Sequence, residues 1–186
     1  MNDVLRTILE RRSIRKYKPD GVSRSDIETV VTAALYAPTG GGAEPWHFTV
    51  ITNRASISDF DARARAAMAS SGIERIEAMG KAPNYRVFFD APAVILICGE
   101  KVLRKSGRHL SALADCSAAI QNMSLAAASV GLGTCWIGLV RYLFERDSSF
   151  MAPEGYEPLF ALALGHPAET PSARPERREG TVIWVE

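Results

Sequence analysis

Cysteine is scarce in this 186-residue chain, and the three present form no pattern. Cys98, Cys116 and Cys135 are odd in number, far apart and in no CxxC or zinc-type spacing. This excludes a disulfide scaffold and fits a reducing, cytoplasmic setting. Histidine is equally sparse: His47, His109 and His166 show no metal-ligand spacing, so no metal site is expected. HExxH, GxSxG and P-loop motifs are absent, which leaves zinc proteolysis and serine-triad hydrolysis without apparatus. Excess charge is lacking too. Twenty-two Lys and Arg against 21 Asp and Glu give +1, too balanced for a nucleic-acid coat. The first residues hold no apolar leader. With 47% hydrophobic residues the chain is not disordered, and its length suits one domain.

One stretch is long and uncharged. Residues 116–140 contain no Asp, Glu, Lys or Arg. Gln121 and Asn122 lie inside it, and Gly131 and Gly133 interrupt it. It reads as a helix over 107–130, buried on most sides, then a turn and a short strand, rather than a membrane span. Elsewhere, Val4, Leu5, Ile8 and Leu9 have helical spacing. Ser23 with Asp26 resembles a capping box before a helix that stops near Tyr36, ahead of Pro38. Residues 55–70 read as a helix, 73–86 as one short helix, and 141–148 as another. Strands are expected at His47–Thr52, Ala91–Cys98, Thr134–Gly138 and Pro158–Leu164. The tail after Gly165 is rich in proline, including Pro167, Pro171 and Pro175, and ends in the β-prone VIWV. Such an arm needs a sheet to join, its own or a partner's. The elements together predict one α+β or α/β domain.

The balanced charge is an average. Residues 1–18 are +4 and the remainder is −3. Arg11, Arg12 and Arg15 flank Ser13, which supplies forked donors and a hydroxyl suited to a phosphate dianion. A solvated basic face is the competing reading. Gly40, Gly41 and Gly42 after Pro38-Thr39 allow close backbone approach to a flat ligand, or serve as a plain connection. Pro45-Trp46-His47-Phe48 anchors that loop to the core. Gly131-Leu132-Gly133 lacks the third glycine and the preceding strand of a dinucleotide fingerprint. It leaves a helix-to-strand turn that can lie against a ligand ring. Asp90 and Asp115 read as caps. Lys101, Arg104, Lys105 and Arg108 form a basic linker. An anion cluster without proton-transfer apparatus suits chemistry borne by a bound cofactor.

Five ordered motifs resemble those of the nitroreductase family of FMN-dependent oxidoreductases. They are Arg11-Arg12-Ser13-Ile14-Arg15-Lys16-Tyr17, then Ala37-Pro38-Thr39 with Pro45-Trp46-His47-Phe48, then Asp90-Ala91-Pro92. Gly131-Leu132-Gly133-Thr134-Cys135-Trp136-Ile137-Gly138 and Leu164-Gly165-His166-Pro167 follow. The resemblance implies a single domain over 1–186 with a three-layer α/β/α fold. Its central sheet is mixed and mainly antiparallel, and its C-terminal arm, 166–186, is swapped onto the partner. It implies a homodimer with FMN at the interface, NADH or NADPH as donor, and a small-molecule electron acceptor. Hydride would pass by way of flavin N5 in a ping-pong cycle to a nitroaromatic, quinone or enone. By the same resemblance Arg11, Arg12, Ser13 and Arg15 meet the phosphate, ribityl chain and pyrimidine end. Pro38, Thr39, Gly40, Gly41 and Gly42 come from the partner, Asn84 adds a polar contact, and Cys135, Trp136, Ile137 and Gly138 line the ring. Arg177 or Arg178 reaches the phosphate. The implied setting is cytoplasmic, with neither membrane nor nucleic acid as partner.

Two departures stand out. Gly42 and Glu44 replace the Asn and Gln common in the second motif. The link between the strand at 91–98 and the long helix is short, which predicts an open pocket or one covered by residues 60–86. Alternatives on the same fold are dehalogenation, azoline oxidation, flavin fragmentation, or flavin binding without turnover.

Overall fold

The computed structural model of the chain describes residues 1–101, 110–172 and 176–186. Its centre is a four-stranded antiparallel sheet in the order β1-β2-β4-β3. The strands are β1 (Trp46–Ile51), β2 (Ala93–Glu100), β3 (Gly133–Ile137) and β4 (Tyr156–Gly165). The uninterrupted apolar run predicts a central strand at β2, and Ala93 to Gly99 are all buried there. Side chains alternate along a strand, so β2 feeds two apolar layers. Val94, Leu96 and Cys98 enter the layer under α3 (Arg54–Met68) and α6 (Arg141–Phe144). Ala93, Ile95 and Ile97 enter the layer under α2 (Arg24–Leu35) and α5 (Leu110–Ser129). α4 (Glu74–Lys81) packs on α3. The result is the expected three-layer α+β fold. The parallel element of the mixed sheet is a single bridge, Ser13 with Thr134.

Local signals act as the sequence predicts. Ser23 Oγ accepts from Asp26 N at 3.1 Å and donates to the Asp26 carboxylate at 2.7 Å, capping α2. Tyr36 caps the far end, two residues before Pro38. One expectation changes and another narrows. α5 is buried along one side rather than most: Cys116, Ala119, Ile120, Met123 and Ala127 are buried, while Leu113, Ala114 and Gln121 are exposed. No helix among the described residues is long and apolar enough to cross a membrane. The VIWV end forms no strand with its own sheet, and Ile183, Trp184 and Val185 are 87%, 84% and 93% exposed. One of the two edges of that sheet is already taken, since residues 13–17 border β3 on its outer side. Arg104, Lys105, Arg108, His109 and Pro175 lie outside the described residues.

One apolar surface stays exposed among the described residues. α1 (Asp3–Glu10) is capped by Asn2 Oδ1, yet none of its residues is buried. Val4, Leu5, Ile8 and Leu9 are all exposed on it. Burial of a helix's apolar face is what normally stabilises a helix this short.

The turn before β2 is held by a buried acid. Asp61 Oδ1 accepts from Val87 N at 2.6 Å and from Phe88 N at 3.3 Å. Burial pushes the Asp61 carboxyl up, and those N–H groups with Arg65 and Arg86 oppose the rise. Immediately after, Phe89 and Asp90 both take left-handed backbone angles, φ 56 and 54, a conformation that surrounding structure must enforce. Because the folded carboxyl holds its proton more tightly than the unfolded chain does, the Asp61 contribution to stability falls as pH rises above its ordinary value. Asp61→Ala strands two N–H groups and is expected to lower the unfolding free energy by about 1–3 kcal/mol. Asp61→Asn keeps the Oδ1 acceptor and loses less. Urea titration of both variants checks this, and equal losses would contradict the bonding role.

Candidate functional site

The site begins where α1 ends. From Arg11 the chain leaves the helix and runs extended along the outer edge of β3. Ile14 N donates to Thr134 O at 2.9 Å, Lys18 N to His166 O at 2.9 Å, and Ala168 N to Lys16 O at 2.9 Å. Residues 13–18 are thus held between β3 and the segment that follows β4. Ile14 is buried, and Tyr17 donates its hydroxyl to Ile14 O at 2.7 Å. Burial pushes the Tyr17 phenol far up, so it stays a neutral donor. Alternation along the extended chain then turns Ser13 and Arg15 away from Ile14.

Arg11, Arg12, Ser13 and Arg15 line one cavity of about 240 Å³, and Arg177 of the C-terminal arm completes it. Arg178 does not line it; its carbonyl accepts from the Thr181 hydroxyl. The arm is fastened here: Arg12 Nη1 donates to Ser172 O at 2.6 Å, and Arg15 N donates to Glu169 Oε1 at 2.5 Å. Four guanidinium groups around so small a space repel one another. An anion of two charges relieves that repulsion, and planar forked donors suit a phosphate group. The donor set therefore fits the phosphate end of a nucleotide.

Arg15 also lines a second cavity of about 360 Å³ with Asn84, Tyr85 and Phe89. The structure thus brings Asn84 to Arg15 across 69 positions of sequence. Residues 84–90 form the cavity's other wall, of which only 84–86 belong to the segment 60–86 expected to cover the pocket. On β3, Cys135 is buried toward the α3 layer. Burial pushes its thiol up, and the nearby Arg15 and Arg11 hold the rise back. Trp136 points to the other face, edge-on to Phe160 at 5.0 Å, and is 39% exposed. Ile137 is buried and Gly138 exposed.

The glycines of the fourth motif have a packing role. Gly131, at φ 77, turns the chain out of α5. A Cβ on Gly133 would lie 2.6 Å from Ile14 Cγ1. The absence of a side chain there lets residues 13–15 approach β3. Gly133 thus meets the protein's own chain, while the turn also lines a cavity of about 280 Å³ beside Arg11 and Arg12.

The second motif lies elsewhere. None of Pro38, Thr39, Gly40, Gly41 and Gly42 lines either cavity. Gly40–Gly42 form a 3-10 turn, with Gly41 and Gly42 at φ 67 and 66. Gly40 N donates to both Asp115 carboxylate oxygens, at 3.3 and 3.2 Å. Asp115 is a buried brace from α5 rather than the expected cap, because the helix begins five residues earlier. Trp46 is buried and stacks on Phe48 at 6.2 Å, which anchors the loop. Sequence reasoning missed Glu169 and Ser172. They act through pairings across more than 150 positions, and no local spacing signals these.

A three-layer fold with an arginine-walled anion cavity opening beside an edge strand defines a class of nucleotide-cofactor protein. The model of the Nitroreductase family matches residues 8–166, and the chain belongs to that family. It is 35% identical over 177 residues to a Methanothermobacter thermautotrophicus protein, covering 92% of this chain and 81% of that one. That relative bears the name NADH dehydrogenase/NAD(P)H nitroreductase. A Bacteroides fragilis nitroreductase crystallised with bound FMN superposes with a TM-score of 0.85 at 31% identity, all of each chain being covered. A Desulfitobacterium hafniense nitroreductase with bound FMN gives 0.86 at 26% identity, again with all of each chain covered.

Gly133→Ala is expected to destabilise the fold by about 1–3 kcal/mol through overpacking on Ile14. Ile14→Ala, which removes the Cγ1 and Cγ2 atoms in the way, added to it should lose less than the two single variants together. Urea titration of the double-mutant cycle checks this, and strictly additive losses would contradict the contact.

Proposed function

We propose that the chain is a homodimeric FMN oxidoreductase that takes hydride from NADH or NADPH and passes it to a small electron-poor acceptor. Nitroaromatics, quinones and activated enones are the acceptor classes. The observation that supports this most is the arginine-walled cavity joined, through Arg15, to the cleft at Asn84. In this reading Arg11, Arg12, Ser13 and Arg177 bind the flavin phosphate. Arg15 sits where the two cavities meet and faces the pyrimidine end, while Asn84 supplies a polar contact. Cys135, Trp136, Ile137 and Gly138 border the ring. When bound, FMN supplies a two-electron carrier whose N5 accepts and then donates hydride in a ping-pong cycle. The protein's part would be orientation and a fixed cation: Arg15, or Arg11 beside it, would stabilise negative charge on the bound ring. Solvent provides the proton, so no side-chain acid is required.

The dimer reading rests on surfaces that one chain leaves open. The apolar stripe of α1 and the apolar end of the arm both face outward. The outer edge of β1 pairs with no strand among the described residues. The arm of one copy adding to the β1 edge of another covers both. The Pro38–Gly42 loop, which lines no cavity of its own chain, then reaches the flavin of the partner. Three free, buried thiols support a cytoplasmic location.

Anaerobic mixing of the FMN-loaded protein with NADH or NADPH tests the reading. Prompt bleaching of the flavin absorbance is expected with at least one donor, and a bound flavin that neither reduces overturns it. Arg11→Glu and Arg15→Glu should each weaken FMN binding at least tenfold by fluorescence titration. Unchanged affinity would refute the roles given to them.

A further inference from the structure

A third cavity, of about 310 Å³, lies between α3 and the turn before β2. It shares Arg86 and Asp90 with the cleft at Asn84, so the two are neighbours along one wall. We infer that this cavity binds the 2′-phosphate of NADPH and so makes the protein prefer NADPH over NADH. The inference rests on the nicotinamide donor proposed above.

Charge comes first. Arg54, Arg65 and Arg86 line the cavity, against the carboxylates of Asp61 and Asp90. Asp61 Oδ1 is occupied by the Val87 and Phe88 N–H groups. Asp90 Oδ1 faces Arg86 Nε at 3.7 Å. The balance leaves one cation in excess.

Each guanidinium is also fixed in place. Arg54 Nη2 donates to Pro19 O at 2.7 Å, Arg65 Nη2 to Ala82 O at 2.6 Å, and Arg86 Nη1 to Tyr85 O at 3.0 Å. A guanidinium has five N–H donors, so anchoring one nitrogen leaves others for a ligand. The Arg65 Nε is buried and has no hydrogen-bond partner among the described residues. A buried donor left unpaired is costly, and an anion beside this guanidinium offsets that cost through its charge.

Position identifies the ligand. The cavity is one step removed from the cleft that Arg15 and Asn84 line, where the reacting ring is placed. A small acceptor fits over the ring and has no reason to reach α3. A ligand that fills both must be long, with its reacting group at one end and an anion at the other. NADPH has that form; NADH shares the bridging diphosphate and lacks the 2′-phosphate at the far end. The volume lies at the lower end of the range for ligand sites, as expected for a subsite that holds only part of a dinucleotide.

The test is calorimetric titration of the FMN-loaded protein with adenosine 2′,5′-bisphosphate and, separately, with 5′-AMP. The bisphosphate is expected to bind at least tenfold tighter. Arg54→Ala and Arg65→Met should each remove most of that difference and leave the weaker 5′-AMP affinity within about twofold. In flavin reduction the same variants should raise the KM for NADPH and leave that for NADH in place. Arg54 is exposed, so Arg54→Ala alone decides the matter if Arg65→Met does not fold. Equal binding of the two nucleotides, or an Arg54→Ala variant with unchanged preference, overturns the inference. Reduction by both donors without bisphosphate preference would overturn it and leave the proposed function standing. Bisphosphate binding that depends on Arg54, with no reduction by either donor, would overturn the function and leave the cavity assignment standing.

Discussion

Everything at the site depends on how residues 13–18 are clamped at the sheet edge. Ile14 N bonds β3, and Lys16 and Lys18 bond the segment after β4. This pairing gives a loop the rigidity of a strand, and side-chain alternation then separates Ile14 from Ser13 and Arg15. Gly133 is required because Ile14 fills the space its side chain would take. The same clamp fixes the arm: Glu169 and Ser172 bond Arg15 and Arg12, which sets Arg177 on the cavity's far side. A cluster of like charges is held together against its own repulsion by backbone pairing, and the stored repulsion is what an anion releases.

Much of this was legible in the sequence. The α+β class, the central strand, the α2 cap and the family follow from periodicity, spacing and ordered motifs. The Arg11–Arg15 cluster was visible as a local charge excess inside a neutral total. What the sequence hid is long-range. Nothing local distinguishes Arg177 from Arg178, since only the fold decides which one turns toward Ser13. Asp115 looked like a cap because it flanks the uncharged run that starts at residue 116, yet its carboxylate reaches the Gly40 amide 75 positions away. Gly133 of the fourth motif has its own use for the absence of a side chain, because something approaches it closely. Here the approaching group is Ile14.

The same physics accounts for what the single chain leaves unfinished. α1 has a well-formed apolar stripe and buries none of it. The arm ends in Ile183, Trp184 and Val185, all in water. The Pro38–Gly42 loop is braced by a buried carboxylate although it lines neither cavity of its own chain. Precise positioning of a loop with no local ligand makes sense if the ligand belongs to another copy. The three features are what the proposed second subunit would account for.

The central claim is that Arg11, Arg12, Ser13, Arg15 and Arg177 form a phosphate site. Comparing FMN with riboflavin tests it most directly, because the two differ only in that phosphate. Charge-assisted hydrogen bonds to a dianion predict that FMN binds at least about 100-fold more tightly than riboflavin in fluorescence titrations at low salt. Equal affinity for the two flavins would contradict the account.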